Sequence, residues 1–352
     1  MDKLLTLIVP AYNMEEYLPK CLRSLTAATR LERLDVLVVN DGSSDRTGEI
    51  AHELAAEHPQ SIRVLDKANG NYGSCINAAI PLAQGRFVKV VDADDTLDTQ
   101  ALDAFLDFLA SLREPSPDLV LSDFAIVDAE GNETARAVLP FPAGRELSLA
   151  DYLATDEVVT MHAFAYRTQL LRDCRYRQLE GVSYTDQEWT LLPLAGVRRI
   201  VRFPQVLYRY LLGREGQTMA KQAQSWWMRG EVALDLARRF PADSPSVVPL
   251  RRRFAVAIAE VYRGCLFDDP PGARAFDLQT FDRQLREISP ELAAAVENIP
   301  YSRRISYRFI RAWHRRSPGR RLMFAICRWY STLVHLAMAV AVTVQVCYTI
   351  SP

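Results

Sequence analysis

Four short apolar runs, each stopped by polar or helix-breaking residues and separated by amphipathic segments, constrain what the first hundred residues of this chain can fold into. Leu4-Leu5-Thr6-Leu7-Ile8-Val9 ends at Pro10, and Val36-Leu37-Val38-Val39 ends at Asn40-Asp41-Gly42. Both are too short for helices and apolar on both faces, as parallel strands covered by helices are. Between them, Tyr17, Leu18, Cys21, Leu22 and Leu25 recur at helical spacing within 15–25. The alternation repeats with a helix over 45–58, a strand over Ile62-Arg63-Val64-Leu65, a helix over 72–83 and a strand over Phe87-Val88-Lys89-Val90-Val91. Short connections between alternating strands and helices predict an α/β fold with a doubly wound, mostly parallel sheet and right-handed crossovers. Ligands of such sheets bind at the carboxyl ends of the strands, here Pro10–Asn13, Asn40–Asp45 and Asp92–Asp95.

Further along, the pattern predicts a helix over 98–112 and a strand over Leu119–Phe124. Gly131-Asn132 and Pro140-Phe141-Pro142 mark a hairpin or excursion over 128–147. Helix and strand signals mix over 150–220, and 222–300 is mainly helical with a break at Asp268-Asp269-Pro270-Pro271-Gly272.

Charge divides the chain. Nine of its 42 Lys and Arg residues lie between Tyr301 and Tyr330, where there is no Asp or Glu, so an acidic body carries a basic C-terminal stretch. An acidic body excludes general nucleic-acid binding, which depends on a basic surface releasing counterions. On a helix over 302–316, Arg304, Arg308, Arg311 and Arg315 would form one stripe and Ile305, Phe309, Ala312 and Trp313 the next, a pattern suited to an anionic membrane. Residues 331–350 follow without a charge, enough to span a bilayer core, although His335, Thr343 and Gln345 leave a helix packed on the protein as the alternative. The expected organisation is a catalytic domain over 1–220 (nucleotide binding in 1–125, acceptor side in 126–220), a helical region over 221–300, and a basic amphipathic plus hydrophobic helix pair over 301–352. The expected location is the cytoplasmic side of a membrane, with attachment through 301–350. Six scattered cysteines, Cys21, Cys75, Cys174, Cys265, Cys327 and Cys347, read as reduced thiols with no zinc-knuckle spacing.

The chemistry concentrates at the strand ends. Asp92, Asp94 and Asp95 crowd the end of an apolar strand. A cation relieves such crowding, and hard oxygen ligands suit Mg²⁺ or Mn²⁺, which can in turn hold a diphosphate. A helix-capping aspartate cluster is the simpler reading of those three residues alone. Asp41, before a Gly42 turn, can accept from a base imide or ribose hydroxyls. The loop Asn69-Gly70-Asn71-Tyr72-Gly73-Ser74-Cys75-Ile76-Asn77 lacks both the dinucleotide and the P-loop glycine orders but can bring backbone N–H groups and the Asn77 amide towards a nucleotide sugar.

In order and spacing, Ile8 through Leu18, Val38 through Thr47, Asn71 through Asn77 and Asp92-Ala93-Asp94-Asp95 resemble the successive motifs of family-2 glycosyltransferases. The resemblance implies an A-type glycosyltransferase fold that transfers a sugar from a nucleotide donor with inversion. It assigns Pro10, Tyr12, Asn13, Asp41, Asn71, Gly73, Asn77, Asp92 and Asp95 to the donor site, with Asp41 at the base, and Asp94 to the metal. One departure is Ile76, where many relatives carry Arg. Inversion needs a base for the acceptor hydroxyl. Ser183-Tyr184-Thr185-Asp186-Gln187-Glu188-Trp189 resembles the family's acidic motif, with Asp186 as the base and Glu188 as its substitute. Leu212 through Met219 resembles a loop that closes over donor phosphates, with Arg214 offsetting leaving-group charge. Gln224-Ser225-Trp226-Trp227-Met228-Arg229 has the residues of a processive synthase motif in the wrong order, so transfer of one or a few sugars is expected.

The resulting expectation is a divalent-metal-dependent, inverting enzyme using a nucleotide sugar, most simply a UDP-sugar, and a saccharide or lipid-linked acceptor, in cell-surface polysaccharide or glycolipid synthesis. Two rivals are a sugar-1-phosphate nucleotidyltransferase, whose glycine-rich segment is missing after the first strand, and a membrane-bound nucleotide-sugar binding protein with a degenerate site.

Overall fold

The computed structural model describes residues 2–155, 159–214, 226–242, 247–268, 276–302, 304–315 and 322–331. The chain divides into two compact units, one of 1–155 with 159–212, the other mainly of 213 onward.

The first unit is built on one mixed sheet. Its strands are β1 (Leu5–Ala11), β2 (Leu34–Asn40), β3 (Ile62–Asp66), β4 (Phe87–Val90), β5 (Thr96–Leu97), β6 (Leu119–Val127), β7 (Glu133–Ala137), β8 (Leu147–Ser148), β9 (Phe164–Arg167) and β10 (Arg199–Leu211). They run in the order β3-β2-β1-β4-β9-β6-β10-β5, with β7 beside β6 and β8 beside β10. β1 pairs in parallel with both β2 (Leu5 opposite Leu34) and β4 (Leu5 opposite Phe87), while β9 is antiparallel to β4 and β6. Every residue of β1 and β4 is buried, which is why both read as apolar runs interrupted only by Thr6 in β1 and Lys89 in β4. Strand order reverses at β1, and the crevice above β1 and β4 is where a doubly wound sheet takes a ligand.

The helices match the expected segments with shifted ends. The first runs Leu18–Thr26, burying Leu18, Cys21, Leu22 and Leu25, and starts at Pro19's first turn rather than at Glu15 because proline is tolerated only there. The helix Asn71–Ala79 stops short of 83, where Pro81 turns the chain into a short 3₁₀ segment, Ile80–Leu82. The excursion after β6 is a hairpin, with β7 antiparallel to it.

The second unit is helical, with segments Trp226–Arg238, Val247–Arg263, Leu278–Ile288, Pro290–Val296, Phe309–Arg315 and 322–331. Trp226 is buried against Gly264, where an added Cβ would lie 1.7 Å from the indole, so it is a core residue; Trp227 is half exposed. Of the basic helix expected over 302–316, the described residues form a helix over Phe309–Arg315. Its apolar stripe does not face outward: Phe309 packs edge-on against Phe267 at 5.4 Å, Trp313 against Tyr262 at 6.0 Å, and Ala312 is buried. The segment Phe309–Arg315 therefore shares a core with the helical region. The apolar run 332–350, Gln224, Ser225 and Glu215–Met219 lie outside the described residues. Among those described, no helix is long and apolar enough to cross a membrane.

Candidate active site

Four loops converge at the carboxyl ends of β1, β2, β3 and β4. After β1, whose Pro10 is buried, Asn13 adopts a left-handed conformation (φ 52°). Its N–H donates to Ser43 Oγ (3.1 Å) and its Oδ1 accepts from Ser44 N–H (2.9 Å). Asn13 thus fastens the first loop to the second. Tyr12 beside it stands 49% exposed. Gly42 has φ +69°, and a Cβ there would lie 2.9 Å from Asn69 N, so the turn after β2 requires glycine.

Asp41 is 2% exposed. Its Oδ1 accepts from Lys67 Nζ (2.5 Å) and Gly70 N–H (3.0 Å), and its Oδ2 from Asn71 N–H (2.9 Å). The carboxylate therefore holds the third loop in place, and a base would have to share it with these donors.

The helix opened by that loop carries two joints to the acceptor side. Gly73 lies under Leu179, whose carbonyl oxygen would be 2.2 Å from an added Cβ. Asn77 donates to Gln178 O (2.9 Å) and Glu180 Oε1 (2.8 Å) and accepts from Gln178 N–H (2.7 Å). Both amide hydrogens of Asn77 are thereby spent on clamping 178–180. Asn71, at φ 70°, accepts from Ser183 Oγ at 3.3 Å, adding a third joint.

The acidic loop follows β4. Asp92 Oδ1 accepts from Tyr72 OH (2.8 Å), and the Asp92 N–H donates to Tyr208 OH (3.1 Å). The Tyr208 hydroxyl in turn donates to Asp95 Oδ2 at 2.5 Å, and Leu211 N–H donates to Asp95 Oδ1 at 2.7 Å. Asp95 is 1% exposed; burial first, then repulsion from Asp94 and Asp92, pushes its carboxyl well above the usual range. Asp94 is half-buried in the same turn.

Oxygens of Asp92 and Asp95 and a ring nitrogen of His162 lie within 4.8 Å of one another. Burial, then Lys89, pushes the His162 imidazole down to about 3, so the ring is neutral and able to ligate. Two carboxylates and one neutral imidazole fit Mn²⁺ or Mg²⁺ better than a thiolate-loving ion. This grouping differs from the expected one, since it contains Asp92, Asp95 and His162 and not Asp94.

Asp186 is the first residue of the helix Asp186–Leu191 and is exposed. Its charge helps to push the hydroxyls of Tyr72 and Tyr210 upward, after burial and the Asp92 or Asp95 carboxylates, so it lies in the neighbourhood of these two tyrosines. Glu188 is fully buried and accepts from Leu179 N–H at 2.8 Å; it braces the segment that Asn77 clamps. Arg214 is half-buried, three residues beyond the end of β10.

Sequence reasoning missed His162, Tyr208 and Lys67. His162 lies in a 3₁₀ turn, Met161–Ala163, stacked on Tyr210 at 4.5 Å, and nothing local marks it. Tyr208 and Tyr210 alternate along β10, a weak signal for one side of a strand pointing into a cleft.

The sequence model described as Glycosyl transferase family 2 matches residues 6–174. An uncharacterized glycosyltransferase, EpsJ of Bacillus subtilis (strain 168), is 41% identical over 95 residues, 27% of this chain and 27% of that protein. Chondroitin synthase of Pasteurella multocida (strain Pm70) is 35% identical over 103 residues, 29% of this chain and 10% of that one. The matched stretches are thus a minor part of either relative. Among solved structures, S. aureus TarS 1-349 has a TM-score of 0.62 at 20% identity, covering 89% of this chain and 92% of that one, and its complex with UDP-GlcNAc has a TM-score of 0.61. At that identity the likeness is one of fold.

Proposed function

Residues 6–174 make up a glycosyl transferase family 2 domain, and on that premise we propose that the chain transfers a sugar from a UDP-sugar to a hydroxyl of a saccharide or lipid-linked saccharide, with inversion, on the cytoplasmic side of a membrane. The observation that carries this reading is the acidic loop, Asp92 to Asp95, tied through Asp92 to Tyr72, with the exposed Asp186 near enough for its charge to act on that same tyrosine.

In the proposed reaction Asp186 takes the proton of the acceptor hydroxyl as that oxygen attacks the anomeric carbon. The bond from that carbon to the diphosphate oxygen breaks, and the nucleoside diphosphate leaves from the opposite face. Glu188 is unsuited to the role because it is buried on the Leu179 amide. Asp92, Asp95 and His162 are the residues that would hold a divalent cation, and Asp94, in the same turn, is the metal residue that the family resemblance assigns. When bound, such an ion supplies positive charge for the departing diphosphate. Tyr72 and Tyr208 keep Asp92 and Asp95 oriented, and Asp41 is a carboxylate acceptor suited to a uracil imide N–H. UDP-GlcNAc is bound by TarS, which makes uridine donors the first to try. The uncharged run 331–350 beside a basic stretch makes a lipid-linked acceptor the economical choice.

A donor screen by calorimetry with Mn²⁺ and Mg²⁺, followed by assay of nucleotide release, tests the proposal. Metal-dependent UDP release that disappears in Asp94→Ala is the expected result. No release from any donor, with binding unchanged in Asp94→Ala, would instead identify a nucleotide-sugar binding protein.

A further inference from the structure

Helix 322–331 carries two rows of large apolar residues, of which only one is covered. Its inner face is pinned. Phe324 packs edge-on against Phe267 at 5.1 Å, Cys327 is fully buried with its carbonyl accepting from Tyr301 OH at 3.0 Å, and Ser331 is buried. Its outer face carries Leu322, Ile326 and Trp329, spaced four and three residues apart and therefore in one stripe, exposed by 67%, 40% and 64%. Three of the eight large hydrophobic residues exposed among the described residues thus lie on this one short helix. Isolated exposed hydrophobics need no explanation, but a contiguous row marks an interaction surface.

Next to the row lies a groove lined by Arg304, Arg308, Arg311 and Arg315, with Tyr307 and with Met323 from the same helix. Arg304, Arg308 and Arg315 have no acidic partner among the described residues, and the buried Nε of Arg311 has no acceptor there. Tyr301–Tyr330 contains no carboxylate to neutralise them.

We propose that the Leu322–Ile326–Trp329 row and the arginine groove together dock this unit on an anionic phospholipid bilayer, the row entering the acyl boundary and the arginines binding headgroup phosphates. The choice of a bilayer follows from complementarity. Uncompensated arginines beside an apolar row suit negatively charged headgroups above hydrocarbon, tryptophan favours the membrane interface, and the sequence after the helix continues uncharged from 332 to 350. The surface differs from the one that periodicity suggested, since Phe309, Ala312 and Trp313 are already used inside the unit. This inference rests on the membrane-side acceptor reading above and adds the residues that make the contact.

The test is co-sedimentation of the full chain with phosphatidylglycerol–phosphatidylcholine vesicles and with phosphatidylcholine vesicles, at low and high salt. The variants are Ile326→Glu/Trp329→Glu and Arg304→Glu/Arg308→Glu. All four side chains point outward, and retained thermal unfolding confirms intact folding. Expected are salt-sensitive binding that prefers the anionic vesicles, a loss of about tenfold or more in either double variant, and unchanged UDP release with a soluble acceptor. Binding equal to wild type in both variants, or equal binding to both vesicle types, overturns the proposal. So does a stripe variant that abolishes a concentration-dependent dimer without changing vesicle binding, since the row would then cover a second copy. Absence of UDP release in the wild-type chain, with vesicle binding intact, would count against the transferase reading and not against this surface.

Discussion

The Tyr208 hydroxyl donates to Asp95 Oδ2 at 2.5 Å while accepting from the Asp92 N–H at 3.1 Å. One phenol at the far end of β10 thus holds the first and last aspartates of the acidic loop in register. A hydrogen bond to a buried charged or shared carboxyl is worth about 1.5–3 kcal/mol, and losing it leaves the partner poorly satisfied. Tyr208→Phe should therefore lower stability by about 1–3 kcal/mol and weaken Mn²⁺ binding. Denaturant unfolding and a metal titration check both; an unchanged metal affinity would show that Tyr208 supports the fold without organising the site.

Asp186 and Glu188 sit two residues apart with opposite environments, one exposed and one fully buried. Asp186→Asn should cut the turnover rate by about 10²–10⁴-fold with donor affinity retained. Glu188→Gln should act mainly on stability, because its carboxylate accepts from the Leu179 N–H. Single-turnover rates beside thermal unfolding separate the two, and a rate collapse in a stably folded Glu188→Gln would reverse the assignment.

Gly73 brings the donor-side helix close against the backbone of Leu179. A methyl group there would sit 2.2 Å from the Leu179 carbonyl oxygen, so one backbone must move. Gly73→Ala is expected to cost about 1–3 kcal/mol and to shift Asp186 with its segment, reducing kcat more than donor binding. Comparable loss of donor affinity would place the displacement on the other side of the joint.

The parallel-strand half of the fold was readable because its signal is local. Each buried strand is an apolar run, and each loop that matters begins at the residue where the run stops, as at Val91-Asp92. The clamps were not readable because they join distant positions through atoms common to many sequences. Tyr208 meets Asp95 across 113 residues, and Asn77 meets Gln178 across 101. His162 approaches Asp92 and Asp95 only because its 3₁₀ turn leads into β9, which lies between β4 and β6. The basic C-terminal stretch shows a further limit. A helical stripe of Phe309, Ala312 and Trp313 has the same periodicity whether it faces lipid or a protein core, and only the rings of Phe267 and Tyr262 decide.

Lys89 supplies a pH prediction. It is fully buried in β4, donates through Nζ to the His162 carbonyl oxygen, and lies 5.3 Å from the Tyr208 ring. Burial pushes its ammonium down from 10.5 to about 7. Between these two values the unfolded chain holds a proton that the folded chain has lost. The stability contributed by this residue therefore rises as pH goes from 7 towards 10.5, and its charged form is most costly below pH 7. Lys89→Met removes the titrating group while keeping its length, at the expense of the bond to His162. Wild type should gain thermal stability relative to the variant as pH is raised from 7 to 9, with each shifted unit corresponding to about 1.4 kcal/mol. Unfolding curves that keep a constant separation across that range would mean that Lys89 stays charged in the core, held by the His162 carbonyl and the face of Tyr208.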